Sequence, residues 1–397
     1  MSARSEMPTL KDTSDLPLFR AYPSLVPALK RFEILHGPTP LEPLFRLEEA
    51  LRKRRTLDPD VAGRLWVKRD DMSWTVLGGN KARKLEFLLA DAAAHDAHTL
   101  VTAGMWGSNH ALATAEAAHE LGLRSRLILG PQPVTEDVKR KLLAFHALGA
   151  ELVYHGNKIG MGIDLAAQMA AQWLKIRKGV YYIPPGGSND VGSVGYVNAF
   201  FELLEQSGPD RLPSEIFVPL GSGGTSAGLL VGMCLAGKWD QVKIHSQRVV
   251  SELLYNEHKL RKDAQKLRDY LVSLMSPEDR ARAPKCDFDS KDSLVVGTAH
   301  TGPEYGAAEA PVLDGMRLLS DSEGLKLDVT YSGKAFADFL DRAEELRPGS
   351  SERPVLFWLT YNSRPLDAII TAHAWTDPEH PWRDLPRPFW KLFEKNP

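Results

Sequence analysis

The feature that most narrows the fold is a repeated change of hydrophobic period along residues 84–206. Helix-period stretches over 84–96, 110–121, 136–148, 162–177 and 192–206 alternate with short apolar runs at 99–103, 124–129, 150–154 and 180–183. Strands alternating with helices of this length are βαβ units, so the pattern predicts a parallel sheet covered on both faces. A second alternation starts with the strand Glu215-Ile-Phe-Val-Pro-Leu220. It continues through a glycine-rich loop, an apolar helix over 226–236 and a strand over 242–246. Upstream lie a loose arm (1–20), a proline-rich strap (23–43), a short helix (47–54) and a strand (64–68). Proline fixes φ and restricts its predecessor, which makes the strap extended and ordered. Downstream, 307–323 and 333–346 read as helices, 327–331 as a strand end and 354–359 as a strand. The tail, 376–397, is proline-rich and reads as an irregular cover, and the Gly208-Pro209 pair marks a break. Residues 251–292 are charged and low in aliphatic side chains, and read as a helical insertion with a surface loop.

A chain of 397 residues with 43% hydrophobic and 25% charged side chains is expected to be globular, as one large or two ordinary domains. The domains expected are a small one over 84–198 and a large one from 1–83 and 199–397, the latter carrying the 251–292 insertion. The net charge of −2 gives no reason to expect nucleic acid or an anionic membrane as partner. The N-terminus lacks an apolar signal core, and no stretch reaches the roughly 18 uninterrupted apolar residues of a membrane span. A cytoplasmic location is therefore expected. Cys234 and Cys286 are the only cysteines, without CxxC or zinc-type spacing, and reduced thiols are the expectation. His110 and His119 share a helix without ligand spacing and read as packing or surface residues. No metal site is expected.

Chemistry concentrates at three places. In Gly78-Gly-Asn80-Lys81-Ala-Arg83-Lys84, two glycines allow a sharp turn just before a helix. An amine at such a junction can be aimed at one atom, and an apolar pocket can lower its pKa until it acts as nucleophile or base. Lys81 is therefore the candidate Schiff-base lysine. Next, Gly221-Ser222-Gly223-Gly224-Thr225 links a strand to a helix, where converging backbone N–H groups, hydroxyls and the helix dipole suit a phosphate. It lacks both the dinucleotide glycine spacing and the P-loop ending, which disfavours a dinucleotide or a nucleoside triphosphate. The third place, Gly104-Met-Trp-Gly107-Ser108-Asn109-His110, follows a strand, where ligands sit in open α/β sheets. Ser108 and Asn109 also fit a helix cap. Tyr305 and Tyr331 each stand in a glycine-containing bend. A reactive lysine, a phosphate cradle and two poised tyrosines on a βαβ framework together suggest pyridoxal 5'-phosphate.

The runs Thr39-Pro-Leu-Glu-Pro, Val67-Lys-Arg-Asp-Asp, Leu77-Gly-Gly-Asn-Lys-Ala-Arg-Lys, Ser108-Asn-His, Pro185-Gly-Gly-Ser-Asn, Val218-Pro-Leu-Gly-Ser-Gly-Gly-Thr, Gly302-Pro-Glu-Tyr-Gly and Tyr331-Ser-Gly-Lys-Ala carry a family likeness. The chain resembles the fold type II pyridoxal-phosphate enzymes, in the branch of 1-aminocyclopropane-1-carboxylate deaminase and D-cysteine desulfhydrase. The resemblance implies an α/β, tryptophan synthase β-like fold of two open twisted parallel-sheet domains, with the cofactor in the cleft between them, and a homodimer. It implies that Lys81 holds the cofactor and handles the substrate α-proton, with Asn80 beside it. Asn109 would bond the cofactor's 3′-oxygen, and Gly221, Ser222, Gly223, Gly224 and Thr225 its phosphate. Ser108 would meet the amino-acid substrate, Tyr305 and Tyr331 would line the substrate side, and Thr360 would stand near the pyridine nitrogen. Ser332 occupies the position where the ring-opening deaminase has Glu, which favours a D-cysteine desulfhydrase-like deaminating lyase with an altered substrate. Ring opening, β-replacement and a non-catalytic cofactor-binding role are the alternatives. Gly107 stands where the family tends to have Gln, Leu359-Thr-Tyr-Asn362 where it has His-Thr-Gly-Gly, and 251–292 is unmatched.

Overall fold

The computed structural model describes residues 9–74, 78–173, 178–208, 211–290, 292–349 and 352–394. The start of the arm, Leu77, the end of the helix expected over 162–177 and Pro209 lie outside the described residues. The chain forms two compact units. One consists of Lys11–Phe87 and Ser188–Ser363, the other of Leu88–Gly187 and the tail from Arg364. The tail thus belongs with the smaller unit, not with the larger domain expected from sequence.

The larger unit is built on a six-stranded sheet in the order Leu294–Gly297, Lys243–Arg248, Glu215–Leu220, Val355–Leu359, Leu65–Arg69, Leu41–Pro43. Only the last pairing is antiparallel. Its central strands are almost uniformly apolar because both faces are covered. Ile216, Val218, Leu220, Leu356 and Trp358 point to one side, in a core with side chains of the helices Asp190–Ser207, Gly224–Leu235 and Glu257–Leu274. Phe217, Val355, Phe357 and Leu359 point to the other, against the helices Phe45–Arg54, Ala310–Glu323 and Ser332–Glu344. The 65–69, 355–359 and 215–220 strands are parallel neighbours, so their C-terminal ends deliver Asp70, Thr360 and Gly221 to one edge. That edge is where open parallel sheets bind ligands.

The smaller unit holds a four-stranded parallel sheet in the order Glu151–Tyr154, Arg124–Gly130, Thr99–Met105, Val180–Ile183. The crossover helices are Asn109–Glu120, Glu136–Ala147 and Lys158–Trp173. Val101, Ala103, Ile128 and Tyr182 cluster with Met161 of the last of these. The tail packs here through Phe389, edge-on to Tyr154 with ring centroids 5.0 Å apart, and through an Asp367–Arg140 ion pair of 2.8 Å. Among the described residues no helix is long and apolar enough to cross a membrane.

Three expectations need correction. The 251–292 segment is more than an insertion with a surface loop: Leu260, Ala264, Leu267 and Leu271 form a buried stripe on the 257–274 helix and join the main core. The two cysteines are joined, Cys234 at the end of the 224–235 helix to Cys286, with Cα atoms 5.9 Å apart. Their separation of 52 residues gave no local signal of the pairing. Finally, 327–331 is a turn, not a strand end. The Asp328 carboxylate accepts the N–H groups of Thr330, Tyr331 and Ser332 at 3.2, 2.9 and 3.0 Å, so these donors are satisfied locally rather than by a neighbouring strand.

Candidate active site

Lys81 lies in the first turn of the helix Asn80–Ala94, which starts earlier than the sequence pattern suggests. The turn before it is held on both sides. Gly79 donates its N–H to the Asp70 carbonyl at 2.8 Å, and Asn80 donates to the Thr360 carbonyl at 3.0 Å. Gly78 has φ +55°, and a Cβ there would stand 2.6 Å from the Asp71 carbonyl oxygen, so only glycine fits. The Lys81 amine donates to Asn80 Oδ1 at 2.7 Å, while Asn80 Nδ2 donates to Thr225 Oγ1 at 3.1 Å. One asparagine thus ties the candidate reactive amine to the glycine-rich loop.

Protein surrounds that amine although part of the residue's surface stays accessible. Burial pushes its pKa down to about 8, with Asp328 pulling the other way. The deprotonated fraction therefore rises as pH rises through about 8 rather than above 10. In apoprotein carrying ¹³Cε-lysine, the signal absent from Lys81→Arg should titrate near pH 8. A midpoint at the ordinary lysine value of about 10.4 would contradict the burial described.

The glycine-rich loop is shaped for an anion. Gly223 has φ +83° and precedes the 224–235 helix, whose first N–H groups open toward the loop. The Ser188 hydroxyl accepts from Gly224 N–H at 3.2 Å, meets Ser222 Oγ at 2.8 Å and accepts from the Lys84 amine at 3.1 Å. Lys84 is buried, and burial together with neighbouring Lys81 holds its pKa well below the ordinary range. A phosphate at the loop would reverse that effect by supplying negative charge, so the donors match a phosphate-bearing cofactor. Tyr255, from the segment unmatched in sequence, presses its hydroxyl so close to Gly223 that a Cβ there would lie 1.8 Å from it; the same hydroxyl donates to Asp263 at 2.7 Å.

Tyr331 lies against Gly221, and its hydroxyl is 2.6 Å from that of Tyr305, the rings meeting edge to face. Burial raises Tyr331 to about 12, partly offset by the bond from Tyr305, and burial also raises Tyr305 strongly. Burial thus keeps the proton on both phenols at neutral pH. Ser332 is fully buried and its hydroxyl donates to Asp328 Oδ1 at 2.6 Å.

Hydrogen bonds and contacts thus connect Asn80, Lys81, the 221–225 loop, Tyr305, Tyr331 and Thr360 within the larger unit. Ser108 and Asn109 belong to the smaller unit, at the end of the 99–105 strand. There Ser108 caps the 109–120 helix, accepting Ala111 N–H at 3.2 Å. The Gln132 amide accepts Gly107 N–H at 3.0 Å. Sequence reasoning missed Lys84, Ser188, Asp328 and Tyr255. Lys84 had a signal, being one helical turn beyond Lys81 and so on the same face. Tyr255 had none.

Two largely parallel α/β sheets, a lysine at a loop-to-helix junction and a glycine-rich loop at the strand ends are the features of a fold type II pyridoxal-phosphate enzyme. Residues 33–360 match the pyridoxal-phosphate dependent enzyme family, and the chain belongs to it. It is 32% identical over 337 residues to the D-cysteine desulfhydrase of Serratia proteamaculans (strain 568), covering 82% of this chain and 92% of that protein. A D-cysteine desulfhydrase of Klebsiella pneumoniae (strain 342) is likewise 32% identical, over 335 residues, with the same coverage. Among solved structures, an ACC deaminase homologue superposes with TM-score 0.68 at 29% identity, covering 86% of this chain and 94% of its own. The processed threonine deaminase isoform 2 of Solanum lycopersicum shares the fold, with TM-score 0.55 at 19% identity, covering 92% of this chain and 90% of its own.

Proposed function

We propose that this enzyme is a D-cysteine desulfhydrase-like deaminating lyase, removing a β-leaving group from an amino acid and releasing an oxo acid and ammonia. One observation carries the choice within the branch. Position 332, beside the key tyrosine, holds a serine whose hydroxyl is spent on Asp328, so the residue after that tyrosine brings no carboxylate of its own for ring opening.

The residues present fit pyridoxal phosphate. Gly221–Thr225, Ser188 and Lys84 would hold its phosphate, Lys81 its aldehyde carbon, Asn109 its 3′-oxygen, and Thr360 would stand near its pyridine nitrogen. When bound, the cofactor supplies the electron sink that lets a Cα–H bond break. The Lys81 amine, with its lowered pKa, takes the α-proton. Asn80 accepts a hydrogen bond from that amine and keeps it directed. Tyr331, protonated at neutral pH, donates toward the leaving sulfur, with Tyr305 fixing its hydroxyl. On the family likeness, Ser108 would meet the substrate near its carboxylate or reacting centre. The homodimer is carried over from the family as part of this proposal.

With D-cysteine and water, purified enzyme should form pyruvate, ammonia and sulfide in equal amounts. Conversion of 1-aminocyclopropane-1-carboxylate to 2-oxobutanoate while D-cysteine stays intact would replace this reading with ring opening. Sulfide release only in the presence of an added nucleophile would make the enzyme a β-replacement synthase. Cofactor binding without any product would make it non-catalytic.

A further inference from the structure

We propose that the smaller unit carries a zinc site formed by His146, His373 and Asp384, which clamps the C-terminal tail to the 136–147 helix. His146 lies far in sequence from His373 and Asp384, which stand together in the C-terminal tail. Each offers a ligand atom, and these atoms all lie within 4.8 Å of one another. All three are half-buried. In a tetrahedral zinc site with bonds of about 2.0–2.1 Å, ligand atoms stand roughly 3.3 Å apart. Side-chain rotation covers that difference.

The surroundings are those of ligands rather than of chance neighbours. Among the described residues, neither imidazole has a hydrogen-bond partner and no cation is ion-paired with Asp384. The adjacent Arg383 instead pairs with Asp377 at 2.9 Å. Asp384 Oδ2 accepts the Thr376 N–H at 2.8 Å, which orients the carboxylate and leaves Oδ1 for a metal. Trp375 stacks on the His146 ring, centroids 5.6 Å apart, and meets the His373 ring edge-on at 4.6 Å. The indole Nε1 is itself tied to the Ile370 carbonyl at 2.8 Å, which holds the Trp375 ring in place. His146 sits in the last turn of its helix, where the dipole favours positive charge. Two imidazoles and one carboxylate form a borderline N/O donor set suited to zinc, with water as fourth ligand.

The metal would join an element of the α/β unit to both ends of the 373–384 stretch of the tail, whose ring contacts to that element run through His146. The proposal is independent of the reaction at Lys81. It is tested on the cofactor-loaded protein, stripped with a chelator and titrated with zinc chloride against a chromophoric competitor. One zinc per chain is expected at micromolar zinc. His373→Gln and Asp384→Asn should each weaken binding by about ten-fold or more. Zinc should slow tryptic cleavage of the tail in the native chain and in neither variant. Retention of the cofactor's visible band reports that the variants are folded. Binding of less than one zinc per chain by the native protein, or equal affinity in the native protein and the variants, overturns the site.

Discussion

Lys81→Ala should lower kcat/KM by about 10²–10⁴-fold or more, the range by which a positioned proton-transfer group acts. The expectation rests on the amine's setting. It is ringed by protein, lowered to about 8 and directed by Asn80. No other amine replaces it, because Lys84 is committed to Ser188 beside the glycine-rich loop. Substitution leaves the cradle untouched, so Lys81→Ala should still take up pyridoxal phosphate through its phosphate, measured by equilibrium dialysis. Activity above about a tenth of native would remove Lys81 from the chemistry. Loss of both activity and cofactor uptake would instead assign it a binding role.

The largest stability effect is expected two residues away. Arg83 is buried and donates to Asp70 Oδ1 at 2.9 and 3.0 Å, to Glu202 at 2.8 and 2.9 Å and to Thr39 Oγ1 at 2.8 Å. Lys68 also pairs with Glu202, and Trp358 Nε1 donates to Asp70 Oδ2 at 2.7 Å. Two buried cations therefore balance two buried carboxylates. Glu202 shows the strength of the balance: burial would raise its pKa, yet Arg83 and Lys68 hold it near 2. Arg83→Met leaves two carboxylates facing Lys68 alone. Breaking a buried pair in this way costs about 3–5 kcal/mol, because one charge stays buried and uncompensated. Urea unfolding of the variant should show that loss, with the slope unchanged. A loss below about 1 kcal/mol would mean that the network is not dry. Because Arg83 follows Lys81 in the same helical turn, the variant should also lose activity beyond its loss of folded protein.

Much of the scaffold was legible from short-range signals. The strand Glu215–Leu220 and the loop Gly221–Gly224 announced themselves through an apolar run and glycines that the backbone requires. Lys81 stood out by its place after two glycines, and Ser108 by its capping position, which it occupies. The misreading at 327–331 has a local cause. A run rich in β-formers was scored as extended, but one carboxylate captured three backbone donors. Tyr255 carries no such signal, because its meaning depends on what the fold brings to it.

Backbone preference and hydrophobic period act over a few residues, so the sequence alone determined the alternating elements, the glycine turns and the class of cofactor. Partnerships between distant side chains depend on how strands are ordered and helices cross. Only the tertiary structure therefore decided that Arg83 meets Glu202, that Cys234 meets Cys286, and that Tyr255 closes on Gly223. It also decided that His146, His373 and Asp384 converge, because no local pattern records a contact that the chain makes only after its sheets have formed.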